Sequence, residues 1–308
     1  MRITLEEAIR LLNAGEVVAL PTETVYGLAA KLSEPKAIEK IFQLKKRPND
    51  NPLIVHIANY EQLNEIVKLI PAHAQELMHC FWPGPLTIIE EACETVPMQA
   101  RAGLPTVAVR MPDQPEILEI IKQTGPLVAP SANLSGKPST TSAQHVEEDF
   151  GAGFPVLDGG NCKKGLESTI VYFDGAWEIA RLGATTQEQL AKVLGYTPKL
   201  REQKESKPVC PGQHYRHYAP QANLTLGTGD YPGSPVVVIG FKERQYSGAK
   251  KVYSLGSLKE PEGISASLYA VLRQLDRDHI QAAWVDCNFP KEGLFLTLAE
   301  RLKRAAKH

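Results

Sequence analysis

No two of the five cysteines stand close together. They fall at Cys80, Cys93, Cys162, Cys210 and Cys287. Without a C-x-x-C pair, neither a structural zinc site nor a disulfide framework is indicated, and a reducing, cytoplasmic setting is expected. Long apolar runs are missing too. No stretch approaches a membrane span, and Met1-Arg2-Ile3-Thr4-Leu5-Glu6-Glu7 lacks the apolar segment of a signal peptide, so a protein neither exported nor anchored is expected. Nor is there an excess of charge. The 34 Lys and Arg against 35 Asp and Glu argue against a surface that binds nucleic acid throughout, while leaving room for a local basic pocket. Several chemical signatures are absent as well: G-x-G-x-x-G, a Walker motif, G-x-S-x-G, and a cysteine beside a plausible histidine. Gly136-Lys137 is not a phosphate loop, because the glycine four residues earlier and the Ser or Thr after it are missing. No covalent nucleophile is therefore indicated. Internal repeats and low-complexity tracts are also lacking.

What is present begins with size. A chain of 308 residues with 43% hydrophobic content is long enough for two cores. Thr4-x-x-Glu7 has the spacing of a reciprocal capping box, and a helix through Leu12 ending at Gly15 follows. Further helices are expected over 61–70, 72–81, 116–122, 143–150 and 187–194. Strands are expected over 17–20, 53–57, 86–89, 106–110, 127–129, 169–173 and 177–181. This alternation predicts a layered α/β domain. From Thr197 to Pro220 the composition changes, first to a solvated linker and then to Cys210-Pro211-Gly212-Gln213-His214-Tyr215-Arg216-His217-Tyr218-Ala219-Pro220, which is too rich in rings and cations for a spacer. Cys210, His214 and His217 lack a fourth metal ligand and match no common zinc spacing. Strands over 235–241 and 282–287 and helices over 267–278 and 294–306 then predict a second, smaller α/β unit.

The segment Lys45-Lys46-Arg47-Pro48-Asn49-Asp50-Asn51-Pro52-Leu53-Ile54-Val55-His56 carries the densest chemistry. Cations at a helix end and a histidine on a strand are each ordinary alone, as a cap and a core histidine. Together with turn-forming asparagines they can hold a polyanion against a rigid edge. The turn Pro21-Thr22-Glu23-Thr24-Val25-Tyr26-Gly27-Leu28 follows a strand, where open α/β sheets place ligands, and Gly27 permits close backbone approach. The loop 130–139 is dense in small donors. Arg110 ends an apolar strand and needs an anion there, either from a ligand or from an internal Asp or Glu. Ser168 and Arg181, on successive strands, repeat the pattern more weakly. The residues describe an enzyme for ATP or another phosphate that works by positioning and charge.

These four segments closely resemble those of the threonylcarbamoyl-AMP synthases, the YrdC-like family in its long, two-domain form. The resemblance implies a twisted open mixed sheet with helices over residues 1–198, a linker acting as a lid over 199–220, and a smaller Rossmann-like α/β domain over 221–308. It implies a nucleotidyltransferase that joins L-threonine, bicarbonate or CO2, and ATP with Mg²⁺ into threonylcarbamoyl-adenylate and pyrophosphate. The product would pass to a tRNA-modifying threonylcarbamoyl transferase, with at most weak tRNA contact. Lys45 and Arg47 would meet the phosphates as the catalytic cations. Thr24, His56, Arg110, Ala129 and Ser168 would surround threonine, and Asn51, Thr106, Ser131, Ser139, Arg181 and Tyr218 would complete the ATP side, with no protein metal ligand assigned. The alternative is a noncatalytic module that holds tRNA or double-stranded RNA on a concave basic face. A carbamoyl-transferring maturation enzyme would bring zinc-finger cysteine pairs, which this chain lacks.

Overall fold

The computed structural model describes residues 1–46, 51–201, 217–233 and 236–306. Among these, eleven strands form one mixed sheet in the spatial order Arg2–Ile3, Val156–Leu157, Val18–Leu20, Gly27–Lys31, Leu127–Val128, Ile54–His56, Thr106–Arg110, Leu86–Glu91, Thr169–Phe173, Trp177–Arg181 and Lys199–Leu200. Side chains alternate between its faces. Val55, Val107, Val109, Ile88, Val171 and Ile179 point to one face and share a core with the helices Pro35–Lys45, Tyr60–Ile66, Ala72–Phe81, Ala143–Phe150 and Gln187–Leu194. On the opposite face, the helices Leu5–Asn13 and Pro115–Thr124 cover Val18, Leu20, Ala29 and Leu127. The rest of that face carries a small apolar patch, Ile54, Ile89, Ala108 and Ile170, whose cluster contains no helix residue. Here the sheet is left without a helix layer.

A second sheet of four parallel strands runs in the order Asn223–Gly227, Ala282–Asp286, Val237–Gly240, Lys251–Ser254. Leu224, Ile239, Tyr253 and Val285 pack against the helices Pro261–Arg277 and Leu294–Ala305, while Val238, Trp284 and Tyr246 form a small cluster on the other face. The expected smaller α/β unit is thus present. The first helix, Leu5–Asn13, runs through Leu12 and stops before Gly15 as expected, but its cap is only half formed. Thr4 Oγ1 accepts from the Glu7 N–H at 3.2 Å, but the Glu7 carboxylate turns to Arg10 at 2.7 and 2.9 Å instead of reaching back. A charge-assisted pair one turn away outcompetes the return bond to the backbone. The full capping box belongs to Thr186 and Gln189.

Candidate active site

At one edge of the uncovered face, His56, Arg110 and Arg181 close their strands while Ser168 immediately precedes its own. His56 and Arg110 are register partners on adjacent parallel strands, so both side chains leave the same face side by side. Arg181 arrives there by an irregularity. The ladder pairs Ile179 with Val171 and then Arg181 with Ile170, so two residues oppose one, and the bulge turns the guanidinium toward the face of Ile170. Without the extra residue, alternation would send Arg181 into the helix-covered core with Ile179.

A cavity of about 790 Å³ opens at this edge. Its lining includes Thr24, Lys45, Asn51, His56, Arg110, Ala129, Ser131, Ser139, Ser168, Arg181 and Tyr218, eleven of the thirteen residues named from sequence. Thr106 does not line it. That residue lies on the Arg110 face of its strand but four positions back, about 13 Å away at the usual strand rise, where it faces Glu91 on the neighbouring strand. Arg47 lies outside the described residues, as does the stretch 202–216 of the expected closing linker.

Arg110 is only 3% exposed and is fixed from several sides. Its Nε donates to the Gly84 carbonyl at 3.1 Å, Nη1 donates to Thr24 Oγ1 at 2.9 Å, and Nη2 lies 2.5 Å from Glu23 Oε1. The internal acid that the sequence left open is therefore real, and it is Glu23. Thr22 shapes the turn that delivers these groups, donating to the Val25 carbonyl at 2.6 Å and accepting from the Thr24 and Val25 N–H groups. Gly27 closes it: a Cβ there would stand 3.0 Å from the Ala129 Cβ, so a side chain would push the turn off the cavity wall. His56 is buried and places Nδ1 3.2 Å from the Ile54 carbonyl. Burial, followed by the Arg110 charge, pulls its pKa down to about 3. A neutral ring donating from Nδ1 presents Nε2 as an acceptor, suited to a hydroxyl or amine.

Lys45 is not the solvated helix cation that its position would ordinarily make it. The helix ends in a left-handed residue, Lys46, with φ 52°. Lys45 itself is 2% exposed. Its Nζ donates to the Asn133 carbonyl at 2.6 Å and to the Ser131 carbonyl, so it pins the loop 130–139 to the helix end while remaining in the cavity wall. Ser131 donates to Asn133 Oδ1 at 2.5 Å, and the Asn133 amide donates to the Leu134 and Lys137 carbonyls. The loop is thus locked by its own side chains. On the far wall, Arg181 donates to the Ser168 carbonyl at 2.9 Å and to its hydroxyl at 3.2 Å, and Thr87 lies 2.7 Å from the same hydroxyl. Tyr218 packs its ring 5.4 Å from that of Tyr269 and under Arg301 at 4.9 Å.

Sequence reasoning missed Glu23, Asn133 and Glu167. Glu23 and Asn133 lie inside motifs already singled out, where an acid or amide among small polar residues was a signal. Glu167 had none, because Ser139 lies 28 residues before it and its other two partners, Tyr269 and Arg301, more than a hundred residues further along.

The uncovered half of a mixed sheet, with buried arginines, histidine, lysine and hydroxyls lining one cavity, defines a protein of YrdC-like fold. The comparisons narrow this. A family model described as telomere recombination matches residues 10–183, and one described as the C-terminal domain of threonylcarbamoyl-AMP synthase matches residues 185–307. The chain belongs to the threonylcarbamoyl-AMP synthase family. It is 41% identical to the Bacillus subtilis threonylcarbamoyl-AMP synthase, covering 97% of this chain and 92% of that protein. Its identity to the Pyrococcus abyssi synthase is 39%, over 97% and 93%. The crystal structure of P. abyssi Sua5 complexed with L-threonine matches with a TM-score of 0.90 at 36% identity, covering 99% of this chain and 96% of that one. Escherichia coli YciO shares the fold, with a TM-score of 0.53 at 21% identity over 58% and 88%.

Proposed function

We propose that this protein is an L-threonylcarbamoyladenylate synthase, a nucleotidyltransferase that converts L-threonine, bicarbonate and ATP to threonylcarbamoyl-AMP, pyrophosphate and water. The observation that carries this reading is the single cavity in which buried Arg110 and neutral His56 face the same space as Lys45, Ser139 and Arg181. Arg110, Thr24 and His56, bordered by Ala129 and Ser168, are assigned to threonine, with the guanidinium on its carboxylate. Lys45, Asn51, Ser131, Ser139, Arg181 and Tyr218 are assigned to the nucleotide. The catalytic unit is assigned to residues 1–198 and the smaller unit to 221–308.

The chemistry suits a site without a nucleophile. The amine of threonine adds to CO2 to give a carbamate, a carbamate oxygen attacks the α-phosphorus of ATP, and pyrophosphate leaves. Both partners are anions, so the barrier lies in bringing them together in line, and fixed cations lower it. Lys45 cannot swing away, because two carbonyls hold its ammonium in place. Mg²⁺ is assigned to the substrate as MgATP: Glu167, the carboxylate of the cavity lining, and Glu23, next to cavity-lining Thr24, are each paired with a buried arginine. Among the described residues no helix is long and apolar enough to cross a membrane. The product, an activated acyl adenylate, calls for an acyl-accepting transferase, assigned here to tRNA modification.

The test is pyrophosphate release with each of threonine, bicarbonate and ATP omitted in turn. Release that requires all three is expected, and release from ATP alone would overturn the reading. RNA binding that falls steeply with salt, without turnover, would support the noncatalytic alternative.

A further inference from the structure

Two helices of the second unit converge on one carboxylate of the cavity wall. Glu167 lines the cavity while only 6% exposed. It accepts from Ser139 Oγ at 2.6 Å, from the Tyr269 hydroxyl at 2.9 and 3.0 Å to its two oxygens, and from Arg301 Nε at 2.9 Å. Tyr269 belongs to Pro261–Arg277 and Arg301 to Leu294–Ala305. Arg301 is completely buried and also donates to the Leu182 carbonyl at 2.7 Å. From the same helix as Tyr269, Arg273 donates to the carbonyls of Pro138 at 2.6 Å and Ser139 at 3.4 Å and pairs with Asp149 at 2.9 Å. The second unit therefore holds the Ser139 carbonyl directly, through Arg273, and its hydroxyl at one remove, through Glu167.

The direction of the Ser139 bond follows from charge. Burial alone would raise the Glu167 pKa, but the Arg301 and Arg181 charges and the Ser139 bond bring it down to about 2. An ionised carboxylate has no proton to give, so Ser139 is the donor, and a hydroxyl has one proton. Whatever Ser139 offers the cavity, it offers as an acceptor.

We propose that Glu167 is a positioning residue that fixes Ser139 as a hydrogen-bond acceptor toward the nucleotide, and that the second unit holds it so through Tyr269 and Arg301. This rests on reading the cavity as an ATP site. An acceptor at this wall repels phosphate oxygens and selects a donor, which on ATP means the exocyclic amine of the base or a ribose hydroxyl. The second unit is then part of nucleotide recognition through Glu167 and Ser139, besides the packing of Tyr269 and Arg301 on cavity-lining Tyr218.

The experiment compares kcat/KM for ATP with that for 2′-deoxy-ATP, 3′-deoxy-ATP and the analogue lacking the 6-amino group, using the full-length protein and pyrophosphate release. The wild type is expected to lose roughly tenfold with one of the three, the worth of a hydrogen bond whose buried acceptor is left unmatched. In Ser139→Ala that penalty disappears. In Glu167→Gln, the amide oxygen stays on Arg301, the amide nitrogen faces Ser139, and the hydroxyl proton turns to the cavity, so the penalty disappears there too. Tyr269→Phe raises KM for ATP about two- to tenfold and leaves KM for threonine unchanged. If Glu167→Gln fails to fold, Ser139→Ala decides. A wild type indifferent to all three analogues, a Ser139→Ala variant that keeps the penalty, or a Tyr269→Phe variant that shifts both KM values equally overturns the proposal. Wild-type release that does not depend on threonine and bicarbonate instead overturns the functional reading on which it rests.

Discussion

Glu23 Oε1 and Arg110 Nη2 lie 2.5 Å apart, with both side chains under 5% exposed. The turn 21–28 supplies the carboxylate and the last residue of Thr106–Arg110 the guanidinium. The pair neutralises a charge that would otherwise be costly at so buried a position. It also aims the guanidinium, because Glu23, Thr24 and Gly84 hold it from the protein side and leave N–H capacity for a carboxylate arriving from the cavity.

Removing Glu23 should therefore cost stability. Glu23→Gln leaves a buried cation without its counter-charge, at about 3–5 kcal/mol. Denaturant unfolding should show this loss, and threonine, which brings a carboxylate, should restore part of it. An unchanged midpoint would contradict the pairing.

Arg110→Lys keeps the charge but not the fork. A lysine ammonium is a point donor and cannot satisfy Gly84, Thr24 and Glu23 while also gripping a carboxylate in two places. KM for threonine should rise roughly tenfold or more, with KM for ATP within about twofold of wild type, since a lost charged hydrogen bond is worth about 1.5–3 kcal/mol. Equal effects on both substrates would place Arg110 elsewhere in the reaction.

Lys45→Met preserves the length of the side chain and removes its donors. The Ser131 and Asn133 carbonyls lose their partner, and the cavity loses a cation that cannot reorient. A fall in kcat of about 10²–10³ is expected, as for other fixed donors facing developing charge. Circular dichroism and the melting curve separate this from unfolding, and kcat within threefold of wild type in a folded variant would refute the role.

The sequence made some of this site legible and concealed the rest for physical reasons. Ala72–Phe81, Thr106–Arg110, Thr169–Phe173, Trp177–Arg181 and Gln187–Leu194 match their expected bounds, because each carries a clean hydrophobic period and strong punctuation. Gly27–Lys31 was read partly as turn. Its residues Gly27-Leu28-Ala29-Ala30-Lys31 have weak strand propensity and are held by pairing on both sides. The short strands Arg2–Ile3 and Val156–Leu157 are fixed by pairing with each other across more than 150 residues, which no local pattern records. The same holds at the site. Lys45 is visible as a cation, but its burial depends on a loop 86 residues away, and the aim of Arg181 depends on a bulge.

Two buried histidines set the acid limb of stability. Burial, then the Arg110 charge, holds His56 at a pKa of about 3, and burial with Arg273 and Arg277 does the same for His145. In the unfolded chain both titrate near 6.5. Between about pH 6.5 and 3 the unfolded state therefore binds more protons than the native one, so stability falls as pH drops through this window, by up to ~1.4 kcal/mol per histidine per pH unit. Glu167 acts lower down: its depressed pKa contributes above the ordinary carboxylate range and is lost only as pH falls toward 2. From pH 7.5 to 5.5 the two histidines should thus lower the unfolding free energy by up to ~3 kcal/mol, opposed in part by Glu90, whose carboxyl burial raises to about 7 and which takes up a proton in the native state over the same window. His56→Gln should remove about half of that slope, because glutamine does not titrate. Denaturant midpoints at the two pH values measure both quantities, and a His56→Gln variant with the pH dependence of the wild type would mean that this imidazole is not held neutral by the fold.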